Sequence, residues 1–293
     1  MFAGFSAFPI TPADESGRVD VDCLADLTDR LASADVQSIG VLGSTGTYMF
    51  LSRQERSRTL RAASEASAGR VPVIAGVGAM RTDEAVSLAV EAQKAGADGL
   101  LLAPVSYTPL TDEEVYAHFV AVANATDLPL LIYNNPGTTR FDFSYDLIAR
   151  LAEHSNIQAV KMPAAQNYAA ELATLRAGVP SDFVIGYSGD WVMADAMTGG
   201  ADAFYSAVGG ILPRECGKLY RAAKDQDLLL LGQMNAAFAP LWDLCKTHGS
   251  LRVIYAIASH LGLSQHDLPR PLLPLDEKNA LEVASALEAV QSV

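Results

Sequence analysis

Eight short runs of apolar or β-branched residues, each followed by a stretch of helical period, constrain this chain more than any other feature. The runs are GFSAF (4–8), SIGVL (38–42), VPVIAG (71–76), DGLLLA (98–103), LPLLIY (128–133), IQAVKM (157–162), FVIGY (183–187) and AFYSAV (203–208). Amphipathic segments such as DVDCLADLTDRLASA and TDEEVYAHFVAVANAT separate them, with Thr82, Thr111 and Ser144 placed as helix caps. AGAD (95–98) and GGAD (199–202) are Gly-marked returns from helix to strand. Strands apolar on both faces, alternating with helices, predict an α/β chain closed into a parallel (β/α)8 TIM barrel. An open doubly wound sheet is the competing topology, but GSTGT and GVGAM match neither GxGxxG nor GxxxxGK[ST]. Strand signals stop near residue 213. Residues 1–212 are therefore read as the barrel core, and 213–293 as the last barrel helix with a C-terminal helical extension.

Composition narrows the function classes. A formal charge of −13 gives no basic face for a phosphate backbone, so no nucleic-acid partner is expected. No uninterrupted run reaches the roughly 18 apolar residues of a membrane span, and the first residues carry no signal-peptide pattern. Cys23, Cys216 and Cys245 are odd in number and lack CxxC spacing, which points to a reduced, cytoplasmic setting without disulfides. His118, His154, His248, His260 and His266 show no ligand spacing, so no metal site is expected.

One lysine breaks the pattern. In NIQAVKMPAAQ (156–166), Lys161 alone among six lysines stands inside an apolar strand run. Burying an unpaired ammonium costs roughly several kcal/mol. A packed stem with the ammonium at solvent is one way out. The other is chemical. The active site of such a barrel lies at the carboxyl ends of its strands, where Lys161 falls. A desolvated lysine favours its amine form, which can attack a ketone and form an imine. Tyr133 ends the preceding strand and can serve as proton relay, while the GSTG loop after the second strand offers amides and hydroxyls to a small carboxylate.

The motifs FPITPADESGRVD, LGSTGTYMFLSRQER, VPVIAGVGA, GADGLLLAPVSYTPLTDEEVYAHF and LPLLIYNNPGTT, followed by the lysine strand, run through most of the chain. In order and spacing they resemble the dihydrodipicolinate synthase and N-acetylneuraminate lyase family of Schiff-base aldolases. The resemblance implies catalytic roles for Lys161 (imine with pyruvate), Tyr133 (proton relay), Ser44 (link in that relay) and Tyr107 (reaching a neighbouring protomer's site). It implies that Thr45, with the amides around it including Gly46, holds the keto acid's carboxylate. It also implies a homotetramer built as a dimer of dimers, and no cofactor beyond the lysine imine. Three positions depart from the synthase pattern: Thr47 replaces a glutamate, Thr138 an arginine that clamps the second substrate's carboxylate, and Met162 an acidic residue. Arg140 is the nearest candidate to replace the arginine. Hydroxyls at Thr47, Thr138 and Thr139, with Tyr205 on the last strand, suit a hydroxylated 2-keto-3-deoxy acid. The alternatives are dihydrodipicolinate synthesis from pyruvate and aspartate semialdehyde, and a non-catalytic keto-acid-binding protein.

Overall fold

The computed structural model describes all 293 residues. Strands β1 (Gly4–Ala7), β2 (Ser38–Val41), β3 (Val73–Gly76) and β4 (Gly99–Leu102) are followed by β5 (Leu130–Tyr133), β6 (Ile157–Met162), β7 (Val184–Tyr187) and β8 (Ala203–Ser206). All pair in parallel and in chain order, and β8 closes on β1. Each expected strand is present. β3 and β5 begin later than expected because Pro72 and Pro129 have no N–H to give to the ladder; their carbonyls still accept from Ile39 and Leu100.

Around the barrel run α1 (Val21–Ala32), α2 (Arg53–Ser67), α3 (Thr82–Lys94), α4 (Asp112–Ala123), the single turn α5 (Pro136–Thr139), α6 (Tyr145–Ala152), α7 (Tyr168–Gly178) and α8 (Met193–Thr198). Thr111 caps α4 in a full capping box with Glu114, and Ser144 caps α6 by accepting from the Leu147 amide. Thr82 does not cap α3. It is the first helical residue, and its hydroxyl bonds to Nδ1 of His118 instead.

Parallel strands covered on both sides bury two distinct cores. The larger lies between strands and helices; the smaller fills the barrel with Phe2, Phe8, Ile74, Leu131, Ala159 and Tyr205 among its members. In β6 the period of two sends Ala159 and Lys161 inward and Val160 and Met162 outward. Two glycines make room for the large inner rings. A Cβ on Gly40 would lie 2.1 Å from the Phe8 ring, and one on Gly186 would lie 2.5 Å from the Tyr205 ring.

After the barrel come α9 (Pro213–Lys224), α10 (Leu228–His248), α11 (Ser250–His260) and α12 (Glu277–Gln291). Within the 21-residue α10 one 18-residue stretch has a mean hydropathy of 1.2, long and apolar enough to cross a bilayer by length and composition only. It is still no uninterrupted apolar run, because Gln233, Asn235 and Asp243 interrupt it. In the structure α10 packs along α9, α11 and α12, burying Leu231, Met234, Phe238, Leu241, Trp242 and Cys245.

Candidate active site

The carboxyl ends of the strands surround a cavity of about 480 Å³. Lys161 stands in its wall, only 7% exposed. Register places Tyr133 of β5 directly beside it and Gly186 of β7 on its other side. Three aromatic rings surround its ammonium. Nζ is 4.8 Å from the Tyr133 centroid, 5.7 Å from Phe8 and 5.8 Å from Tyr205. Burial among rings penalises the charged form and pulls the Lys161 pKa from 10.5 to about 7, and the field of Asp190 offsets part of that. Near neutrality a large share of this side chain is free amine. The alternative of a snorkelled ammonium does not occur.

Tyr133 is buried and its hydroxyl sits in a short polar chain. Its Oη shares a hydrogen bond with Ser44 Oγ at 3.1 Å and accepts one from Asn135 Nδ2 at 2.8 Å. Burial raises its pKa while these two partners pull the other way, so the phenol is protonated at neutral pH. The amides of Ser44 and Thr45, on the same loop, donate to no acceptor within the chain. Thr45 lines the cavity; Gly46 stands behind it, where a Cβ would be 2.9 Å from the Leu42 amide nitrogen. Loop glycine and free amides together make a cradle for a small carboxylate.

The remaining sequence candidates fall in different places. Thr47 is buried and adopts a left-handed backbone (φ 50°). The Thr138 hydroxyl donates to the Asn135 carbonyl at 3.3 Å and that of Thr139 to the same carbonyl at 3.0 Å. All three border the cavity, and the hydroxyls of Thr138 and Thr139 are spent on the Asn135 carbonyl. Tyr205 contributes its ring, whereas its hydroxyl donates to the Phe2 carbonyl at the opposite end of the barrel. Met162 faces the helices, buried against Asn134, and contacts no substrate space. Arg140 is exposed and outside the cavity wall. Tyr107 is 92% exposed in the single chain and likewise outside the wall.

Residues that sequence reasoning left without a role complete the site. Asp190, in the short turn after β7, is fully buried and accepts from the Ser206 hydroxyl and from the amides of Ala207 (3.2 Å) and Val208 (3.3 Å). Burial raises its pKa, and those donors and Lys161 act in the opposite direction. Asn135 positions the Tyr133 hydroxyl. Trp191 borders the mouth, and Ser250 and Leu251 reach it from the start of α11. Asp190 and Asn135 do lie in the strand-end motifs GYSGD and YNNP, the only signal the sequence offers for them.

Sequence comparison agrees with the geometry. Residues 1–290 match the Dihydrodipicolinate synthetase family. The 4-hydroxy-tetrahydrodipicolinate synthase of Gluconacetobacter diazotrophicus is 35% identical over 294 residues, covering 98% of this chain and 96% of that protein. The enzyme of that name from Neisseria meningitidis serogroup B is 32% identical, covering 99% of each. A crystal structure of dihydrodipicolinate synthase from Agrobacterium tumefaciens superimposes with a TM-score of 0.97 at 55% identity, covering 99% of this chain and 98% of that one. The Aquifex aeolicus dihydrodipicolinate synthase gives 0.91 at 28% identity, covering 99% and 98%. The chain therefore belongs to the dihydrodipicolinate synthetase family and is a lyase of the class I aldolase type.

Proposed function

We propose that Lys161 attacks the ketone of a pyruvate-type 2-keto acid and carries the reaction as an imine. One observation supports this above the rest: an amine with a pKa near 7 stands beside a phenol already linked to Ser44 and Asn135. The amine lone pair adds to C2, the ketone oxygen takes up protons and leaves as water, and a protonated imine remains. When C4 bears a hydroxyl, its proton is removed, the C3–C4 bond breaks and an aldehyde departs. The bonding pair moves into the imine to give an enamine. Protonation at C3 and hydrolysis then return the keto acid and the free amine. If instead C3 loses a proton and the C4 hydroxyl leaves as water, the same imine supports dehydration. Tyr133 moves these protons by exchanging with Ser44, while Thr45 and the free loop amides hold the carboxylate. The lysine itself is the electron sink, so the steps as written draw on no further cofactor.

For the substrate, the proposal is a 2-keto-3-deoxy acid with a hydroxyl at C4. Its support is that Lys161 is the only cation in the cavity wall, so a second carboxylate has no partner. Arg56, which reaches Tyr48 just after the Ser44 loop, is spent on the carbonyls of Tyr48 and Gly78. A second reading, condensation of pyruvate with aspartate semialdehyde, is favoured by the names of the relatives, which back it better than they back the first. Tyr107, exposed here, is assigned to the site of a neighbouring protomer in a homotetramer. The test is borohydride trapping with pyruvate, followed by intact mass. An adduct lost in Lys161→Ala supports the imine; no adduct with any 2-keto acid overturns it and leaves the binding-only reading. Brisk turnover of aspartate semialdehyde would decide for the synthase.

A further inference from the structure

The cavity changes character from floor to mouth. Its inner part holds Lys161, Tyr133 and Ser44. Its outer wall is built by Met49, Phe50, Val105, Trp191 and Leu251, brought from four separate parts of the chain. Phe50 is 43% exposed and Trp191 36%, so apolar surface stays open at the rim of a site. The Trp191 ring lies beside Gly189, where a Cβ would stand 3.5 Å from Cζ2, in ordinary van der Waals contact.

Several of the polar groups nearby donate within the chain. Thr138 and Thr139 donate to the Asn135 carbonyl, and Ser188 to the Met162 carbonyl. A polyhydroxylated tail lying here would give up water and find few free donors on this chain, at a net cost. An anionic tail would meet no cation. An apolar tail would bury its own surface together with that of Trp191 and Phe50. The volume of about 480 Å³ also exceeds what a pyruvyl group needs and lies in the range of sites that enclose larger ligands.

Resting on the imine reading above, we infer that beyond C4 the substrate carries a neutral, apolar group, aryl or branched alkyl, seated against Trp191 and Phe50. The reaction then joins or separates pyruvate and an apolar aldehyde: the C3–C4 bond forms as the aldehyde oxygen takes up a proton, and breaks as it gives that proton back. The single hydroxyl sits at C4, next to the chemistry, and none is needed farther out.

The experiment supplies pyruvate with benzaldehyde, isobutyraldehyde, glyceraldehyde or aspartate semialdehyde and follows pyruvate consumption. The expected result is a kcat/KM for one of the apolar aldehydes about tenfold or more above that for glyceraldehyde and for the semialdehyde. Trp191→Ala is expected to raise KM for the apolar aldehyde about tenfold while KM for glyceraldehyde moves less than about twofold, with Trp191→Phe recovering most of the loss. If Trp191→Ala does not fold, Phe50→Ala carries the same comparison. A preference for glyceraldehyde or the semialdehyde, equal rates for all, no turnover of either apolar aldehyde, or a uniform rise in KM overturns the inference. Failure of the borohydride adduct with pyruvate is a separate outcome, because it overturns the imine reading beneath it.

Discussion

Tyr133 and Tyr205 face the same lysine from two sides of the barrel, and burial raises the pKa of both. They belong to different ends of the molecule. The Tyr133 hydroxyl opens toward the mouth, in contact with Ser44 and Asn135. The Tyr205 hydroxyl points away and closes on the Phe2 carbonyl. At the closed end the polar groups are paired off; Ser38, for example, donates to Ser6. At the mouth the Ser44 and Thr45 amides and the Lys161 amine are left with bonding capacity to spare. A barrel places stability at one end and chemistry at the other, and the position of a single oxygen atom shows which end a residue serves.

The contrast can be broken by experiment. Tyr133→Phe should lower kcat by roughly 10²–10⁴, the usual weight of a proton relay, with stability almost unchanged. Tyr205→Phe should do the reverse, costing about 1–3 kcal/mol of stability because the buried Phe2 carbonyl loses its donor, with kcat kept within about tenfold. Kinetics and denaturant unfolding on the two variants measure both, and matching profiles would erase the distinction between the ends.

A smaller effect is expected in the pH dependence. The amine is the reactive form, so the rate of imine formation with pyruvate should climb as pH rises through about 7 and then level off. In Asp190→Asn, the charge that favours the ammonium is gone, and the midpoint should move to lower pH. A midpoint that stays put would remove Asp190 from any electrostatic role. The same shift acts on stability. The folded chain releases the Lys161 proton near pH 7 and the unfolded chain only near 10.5, so the folded state binds fewer protons between those values and stability rises with pH across that window. Lys161→Met should flatten this slope.

The fold is legible because strands buried on both faces must be nearly continuous in apolar residues, and few other sequences produce eight such runs. Lys161, Tyr133 and Ser44 are legible for a related reason: residue type and strand-end position together leave few other uses for them. The parity of β6 alone places Met162 on the face opposite Lys161, so its identity bears on packing rather than on substrate. Hydroxyl direction is another matter. Nothing in GSTGT announces that Thr47 adopts a left-handed backbone, and nothing in AFYSAV tells which end of the barrel the Tyr205 oxygen meets. Asp190 and Trp191 lie in a single 3-10 turn after β7, too short to show a period, and Leu251 enters the site only through the path of the whole extension.

That path has an evolutionary consequence. Gly249, at φ 85°, turns the chain from α10 into α11 and brings Ser250 and Leu251 to the rim, more than forty residues after the last strand. The parts that make and break bonds are rooted in the strands, while part of what greets the incoming molecule hangs on a hinge of the added helices. Substitutions around that hinge are free to change which molecules are admitted without disturbing the amine that reacts with them. Selection can redesign the doorway of such an enzyme while leaving its engine alone.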